Sequence, residues 1–353
     1  MKKRSILFTL VLGITFIAAN FFTPPLSACT RVVYKGLNGY VITARSMDWK
    51  SEIPANLWVL PCGIERTGQV GANSAVWKSK YGSVVTTSWD MASADGINEK
   101  GLVANVLWLA ESKYPVYEPN GTKKGIAISL WAQYVLDNFS TVTEAVENFM
   151  KEEFVIVTDY IPGSDIFTTL HLAISDADGD NAIFEYIEGK LVIHHDKSYN
   201  VMTNSPTFDE QLSINKYWKD IPGTVMLPGT NRAADRFVRA SFFIEAIPKT
   251  DDTRIAVASV FSVIRNCSVP YGISTPDQPN ISSTRWRTVA DQKNLVYYFE
   301  NALTPNTFWV DLNKLDFSSN APVRKLEADK FQIYSGETSE LFKETKPFVF
   351  QGI

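Results

Sequence analysis

Histidine is scarce in this 353-residue chain, with only His171, His194 and His195, and cysteine is equally scarce at three. No HExxH, CxxC or GxSxG pattern occurs, so zinc-protease and serine-hydrolase readings lack their motifs. His194 and His195 end a strand-like stretch and would point to opposite faces of a sheet, which suits a metal poorly. Residues 176–181 have the acidic spacing of a calcium loop, but their glycine falls at the fourth position instead of the sixth, so a hairpin turn is expected. A phosphate loop and a dinucleotide fingerprint are also missing, and neither cofactor nor metal is expected. There is no long basic run and the net charge is −4, which gives no sign of a nucleic-acid partner. Outside residues 6–22 no apolar run is long enough for a spanning helix. The remaining composition, 45% hydrophobic and 20% charged, is that of a globular protein.

What is present begins with the leader. Basic Lys2, Lys3 and Arg4, the apolar run 6–22 and a small residue, Ala28, make a secretory signal with cleavage expected after Ala28. The chain would then be exported to the periplasm, with residues 29–353 as one mature domain and no membrane attachment. Cys29 would carry a thiol and a free α-amine on one residue. The reference pKa of the amine, about 7.7 to 8.0, lies below the roughly 8.5 of a thiol, so the two can exchange a proton near neutrality. Such a residue supplies its own base. The stretch Leu26-Ser27-Ala28-Cys29 also fits a bacterial lipobox, in which the cysteine is lipidated on sulfur and acylated on nitrogen. Leu26 favours that reading and Thr23-Pro24-Pro25 weakens it; a lipidated Cys29 would leave a tethered binding module. Of the other cysteines, Cys62 and Cys267 either pair or remain as two separate thiols.

Strand-like text at 31–36 and 40–47 flanks the turn Leu37-Asn38-Gly39. Further strands are expected at 57–60, 83–89 and 101–107, with 95–101 read as a turn. Helical periodicity marks 127–136 and 143–151, the second capped by Ser140 or Thr141. Strands return at 168–175, 182–188 and 191–194, helices at 231–246 and 255–266, and strands at 286–290, 294–299 and 307–311. An apolar patch at 347–350 follows. Segregated blocks of strands and helices argue for an α+β fold of packed sheets with helices outside, and against a doubly wound sheet. Arg45 and Asp48, near the end of the second strand, would place charges beside Cys29. Asn204, just after the strand-like 199–203, would offer an oxyanion donor.

Cys29-Thr30-Arg31 with Thr43-Ala44-Arg45-Ser46-Met47-Asp48-Trp49 resembles the opening of the choloylglycine hydrolase family of N-terminal-nucleophile amidases, which contains bile salt hydrolases and penicillin V acylases. The similarity continues through Asp95-Gly96-Ile97-Asn98-Glu99-Lys100-Gly101-Leu102, Val201-Met202-Thr203-Asn204-Ser205-Pro206 and Leu227-Pro228-Gly229 with Arg236-Phe237. The resemblance implies a four-layer αββα sandwich with Cys29 as nucleophile, its amine as base, Arg45 and Asp48 holding and polarising it, and Arg236 completing the charged cluster. Asn204 and the Trp108 backbone N–H would serve the oxyanion. Trp108 stands where bile salt hydrolases carry an asparagine; with Trp49 it would form an aromatic wall for a phenoxyacetyl or acyl group. That pattern resembles the Gram-negative branch, with penicillin V and N-acyl homoserine lactones as expected small-molecule substrates and conjugated bile salts as the alternative. The resemblance also implies a homotetramer or dimer.

Overall fold

The computed structural model describes residues 29–274, 282–304, 306–329 and 332–353; the expected leader, 1–28, lies outside the described residues. The chain runs through β1 (Thr30–Lys35), β2 (Val41–Trp49), β3 (Asn56–Leu60), β4 (Glu65–Thr67), β5 (Val76–Lys78), β6 (Ser83–Ser88), β7 (Ala92–Asn98), β8 (Val103–Trp108) and β9 (Lys124–Ala127). Helices α1 (Trp131–Asn138) and α2 (Val142–Phe149) follow, then β10 (Phe154–Val157), β11 (Leu170–Ser175), β12 (Asn181–Ile187), β13 (Lys190–His195) and β14 (Val201–Met202). Three helices come next, α3 (Phe208–Lys219), α4 (Ala233–Ala246) and α5 (Thr253–Asn266). The last strands are β15 (Ser283–Asp291), β16 (Val296–Asn301), β17 (Thr307–Asp311), β18 (Arg324–Glu327), β19 (Gly336–Glu337) and β20 (Lys343–Glu344).

Two sheets hold the molecule together. One has seven strands in the order β14-β1-β2-β15-β16-β17-β19, the other nine in the order β13-β12-β11-β8-β7-β6-β3-β18-β20. Helix α1 packs on β7 and β8, while α4 lies on β1 and α5 on β2 and β15, so each sheet has helices on its outer face. This is the four-layer αββα sandwich expected. Covering both faces explains why all nine residues of β2 are buried instead of every second one. The β1–β2 hairpin turns at Asn38 and Gly39, whose φ values of 52° and 71° suit the tight turn read from Asn-Gly.

Two expectations need correction. Residues 95–98 are the second half of β7, and the turn is confined to 99–101, where Gly101 adopts φ +81°. The polar Asp95 and Asn98 misled because each is fully buried yet partnered: Asn98 Nδ2 donates to the main-chain oxygens of Leu136 and Phe139 at 3.0 and 2.8 Å. The helix expected at 127–136 starts later, because Lys124–Ala127 pairs in parallel with β10 and a 3₁₀ turn at Ile128–Leu130 precedes α1. Helix α3 was not anticipated, although Thr207-Phe208-Asp209-Glu210 spells a capping box and the Thr207 N–H donates to Glu210 Oε2 at 3.2 Å. Of the two proposed caps for α2, Thr141 serves: its hydroxyl accepts the Glu144 N–H at 3.2 Å.

The histidines behave as structure. His171 Nδ1 bonds Glu185 Oε1 at 2.9 Å and His194 lies 3.4 Å from the other carboxylate oxygen, while His195 turns to Asp180 on the opposite face. Among the described residues no cluster could hold a metal ion. The Asp176 loop is a hairpin turn whose carboxylate accepts the N–H groups of Asp178 and Asp180. Cys62 and Cys267 are both free. Burial raises the Cys267 thiol to about 11.

Candidate active site

Cys29 enters β1 and is 2% exposed. Its main chain is clamped from α4: Arg236 Nη1 donates to the Cys29 carbonyl and to Thr30 Oγ1, both at 2.6 Å. The other amino group, Nη2, donates to Asn204 Oδ1 at 2.9 Å. That bond fixes which way the Asn204 amide faces, and Nδ2 accordingly donates to the Trp108 carbonyl at 2.8 Å. Gln211, on the unanticipated α3, donates to the Asn204 and Pro206 carbonyls and so holds the turn that carries the asparagine.

Strand periodicity divides the charges of β2 between the two sides of its sheet. Arg45 and Met47 face the neighbouring sheet with the thiol: the Cys29 sulfur lies 3.8 Å from Arg45 Nη2 and 3.8 Å from the Met47 sulfur. Asp48 faces the α4–α5 layer, where its carboxylate accepts from Thr284 Oγ1 and sits within the field of Arg236. Burial lifts the Asp48 carboxyl to about 6, against the opposing pull of Arg236, the Thr284 hydroxyl and Arg45. Burial also works against the charge on Arg45, but the Cys29 sulfur and Asp95 more than offset it and hold the guanidinium above its ordinary value.

Arg45 crosses between the sheets. Its Nη1 donates to Asp95 Oδ2 at 2.6 Å and its Nη2 to the Val106 carbonyl at 3.1 Å. It can do so because β7 and β8 part there; their register runs only from Ile97↔Val103 to Asp95↔Asn105. The Leu109 N–H is spent on Thr169 O across β11 at 3.0 Å, so Trp108, one residue earlier, turns its own N–H and C=O to the edge that β7 has left. The Trp108 N–H and Asn204 Nδ2 therefore lie along one edge of β8, where Nδ2 meets the Trp108 carbonyl.

The thiol opens into a largely apolar cavity of about 140 Å³, walled in part by Met47, Trp49, Val106 and Trp108. The Trp49 and Trp108 rings stand 5.3 Å apart at 54°. Of the residues singled out from the sequence, Cys29, Arg45, Trp49 and Trp108 line this cavity, whereas Asp48, Asn204 and Arg236 support it from behind. Three participants were missed in roles of their own. Asp95 is the counter-ion of Arg45, Tyr297 donates to Asp95 Oδ1, and Arg31, opposite Arg45 across the strand pair, reaches Asn105 Oδ1 at 2.9 Å. Among the described residues neither Nη of Arg31 has a hydrogen-bond partner, and burial pushes this guanidinium down to about 9. Two arginines at inward positions of adjacent strands were the available signal, since buried guanidinium groups demand acidic or amide partners.

The family model of linear amide C–N hydrolases, choloylglycine hydrolase family, matches residues 29–325. A penicillin V acylase of Pectobacterium atrosepticum is 50% identical, the alignment spanning 100% of this chain and 100% of that protein. The solved structure of penicillin V acylase from Agrobacterium tumefaciens matches with a TM-score of 0.86 and 61% identity over 92% of this chain and 100% of that one. A conjugated bile acid hydrolase from Clostridium perfringens shares the fold, at a TM-score of 0.72 and 24% identity over 87% of this chain and 98% of the other. A buried cysteine between an arginine and an amide-donor edge, in this fold and with these relatives, gives one conclusion: the chain belongs to the choloylglycine hydrolase family and is a linear amide C–N hydrolase.

Proposed function

We propose that the mature protein is an N-terminal-cysteine acylase that cleaves the side-chain amide of penicillin V and the amide of N-acyl homoserine lactones. The observation that carries this reading is the Cys29 sulfur at the base of an apolar cavity, 3.8 Å from a buried guanidinium. The thiol attacks the amide carbonyl, and its proton passes to the α-amine of Cys29. The negative charge moves to the former carbonyl oxygen, which the Trp108 N–H and Asn204 Nδ2 receive. The amine then protonates the leaving nitrogen as the C–N bond breaks, leaving a thioester on Cys29. Water, deprotonated by the same amine, hydrolyses the thioester and releases the acid. Arg45 balances charge at sulfur, and Arg236 and Asp48 keep Cys29 and Asn204 in register.

The acyl group is taken to lie against Trp49 and Trp108. Flat indoles stack on an aryl ether or bury an alkyl chain, and they crowd the rigid rings of a bile acid. The reading includes export to the periplasm with cleavage after Ala28, since only that cut frees the amine, and assembly as a homotetramer or dimer. The test is a substrate panel of penicillin V, a long-chain acyl homoserine lactone and glycocholate, run on protein whose N-terminus has been verified by intact mass. Turnover of the first two well above glycocholate is expected. A diacylglyceryl adduct on Cys29, or preference for glycocholate, would overturn the proposal.

A further inference from the structure

One wall of the cavity comes from a part of the chain that contributes nothing to the catalytic cluster. Gln351, Gly352 and Ile353 line it together with Met91 and Ser129. The segment reaches there along an aromatic track, with Phe348 5.0 Å from the Trp58 ring and 4.5 Å from Phe350, and Phe350 5.3 Å from the Arg66 guanidinium. Three hydrogen bonds then fasten it along this wall. The Gln351 N–H donates to Met91 O at 2.9 Å, Ser129 Oγ donates to Gln351 O at 2.7 Å, and the Ile353 N–H donates to Gln69 O at 2.9 Å. These anchors belong to the β6–β7 loop, the 3₁₀ turn after β9 and the loop after β4.

The position of this strap follows from the two cores. Cys29, Met47, Trp49 and Trp108 belong to the core that includes the space between the sheets; Val106, Ala127 and Phe350 belong to the core under α1 and α2. The cavity lining therefore draws on both cores, with Ser93 and Ala94 of β7 and Val106 and Trp108 of β8 between them, and the strap belongs through Phe350 to the second core and not to that of the sulfur. Ile353 lines the cavity while being 47% exposed.

We propose that residues 351–353 close the far end of the acyl site and set the longest acyl chain it accepts. The inference rests on the acylase reading above for the identity of the occupant. An acyl group whose carbonyl sits at Cys29 must run along the apolar lining toward this strap, and methylenes beyond it would have to displace the strap or bend.

Two variants test it, a deletion of 351–353 and Ile353→Ala, which keeps the main-chain bond to Gln69. The readout is the ratio of kcat/KM for the C12 and C6 N-acyl homoserine lactones, which share one leaving group. The deletion is expected to raise the C12:C6 ratio about tenfold or more, since each accommodated methylene is worth a factor of that order in a close-fitting pocket. Ile353→Ala should move the ratio in the same direction by less. The same comparison is made by tryptophan-fluorescence titration of C6 and C12 fatty acids into Cys29→Ala protein, with and without each strap change, which requires no turnover. A ratio that stays within about twofold of the parent or falls, in folded variants and in both readouts, would overturn the inference. Absence of turnover in the parent enzyme would instead count against the acylase reading while the binding ratio still decides this one.

Discussion

Replacing Asp95 with asparagine preserves the shape of the side chain and its oxygen toward Tyr297 but puts an amide N–H₂ where Arg45 now finds a carboxylate. The two side chains are 1% and 0% exposed and 2.6 Å apart, so water does not readily take the place of the lost charge, and Asp48, which also feels Arg45, accepts from Thr284 on the other side of the sheet. Arg45 would retain the Val106 and Ser46 carbonyls, which offset only part of the loss. Removing one partner of a buried pair strands the other and costs about 3–5 kcal/mol. Because the asparagine amide would present a donor to a donor, the upper half of that range is expected. The assay is a urea titration of Asp95→Asn, Arg45→Met and the double variant. Once the guanidinium is gone the asparagine no longer opposes it, so the double variant should lose less than the two single losses combined, by about 1–3 kcal/mol. Single losses below about 1 kcal/mol, or additivity within about 0.5 kcal/mol, would refute the claim that this pair carries a stranded-charge penalty.

Cys29→Ser should lose nearly all amidase activity, and Cys29→Ala all of it while still binding substrate; near-normal turnover by Cys29→Ala would remove Cys29 from the mechanism. Trp108→Asn leaves the backbone donor in place and changes one wall of the cavity, so the penicillin V to glycocholate ratio should fall with little change in melting temperature. An unchanged ratio would make the indole a packing group only. Burial disfavours the Glu185 carboxylate, yet the bond from His171, the nearby His194 ring at 3.4 Å and the Phe208 N–H outweigh it and hold the group down to about 2 against an ordinary 4.5. Between those values the unfolded chain binds a proton that the folded chain does not. The stabilisation is thus complete above about pH 4.5 and lost as the pH falls toward 2. Glu185→Gln should flatten this acid limb by on the order of 2 kcal/mol between about pH 5 and pH 3, read as a smaller shift of the urea midpoint over that range. Parallel limbs for the two proteins would contradict the assignment.

Much of the sandwich could be read from the chain because most strands announce themselves through β-branched runs and Asn-Gly or Asp-Gly turns. The difficulty came where function had overridden pattern. Asp95, Gly96 and Asn98 look like a turn because polar and small residues favour one, but in β7 the aspartate answers Arg45 and the asparagine satisfies the end of α1. At Gly96 a Cβ would meet the Val84 carbonyl at 2.6 Å, a closeness of neighbouring strands that no local signal encodes. Cys29, Arg45, Asp48, Asn204 and Arg236 were reached by combining the thiol–amine argument with ordered motif matches, and the structure brings them together. Their division into a thiol-facing side and a helix-facing side was not reached. Alternation along β2 separates the two sides, but which side faces the thiol depends on contacts such as Arg45–Asp95 and Asp48–Thr284, which join residues 50 and 236 positions apart.

The clamp on Cys29 also bears on the order in which the enzyme becomes competent. Arg236 and Cys29 are separated by 207 residues, and Trp108 and Asn204 by 96. No local segment near the N-terminus can pre-form these contacts, and each requires closing a long loop before it returns any stabilisation. An emerging chain that stops short of α4 can form the β1–β2 hairpin but lacks the Arg236 clamp on the Cys29 carbonyl. Under the proposed function the thiol would thus be aligned late, by a helix that follows both Trp108 and Asn204 in the chain, and reactivity would be tied to near-completion of the fold.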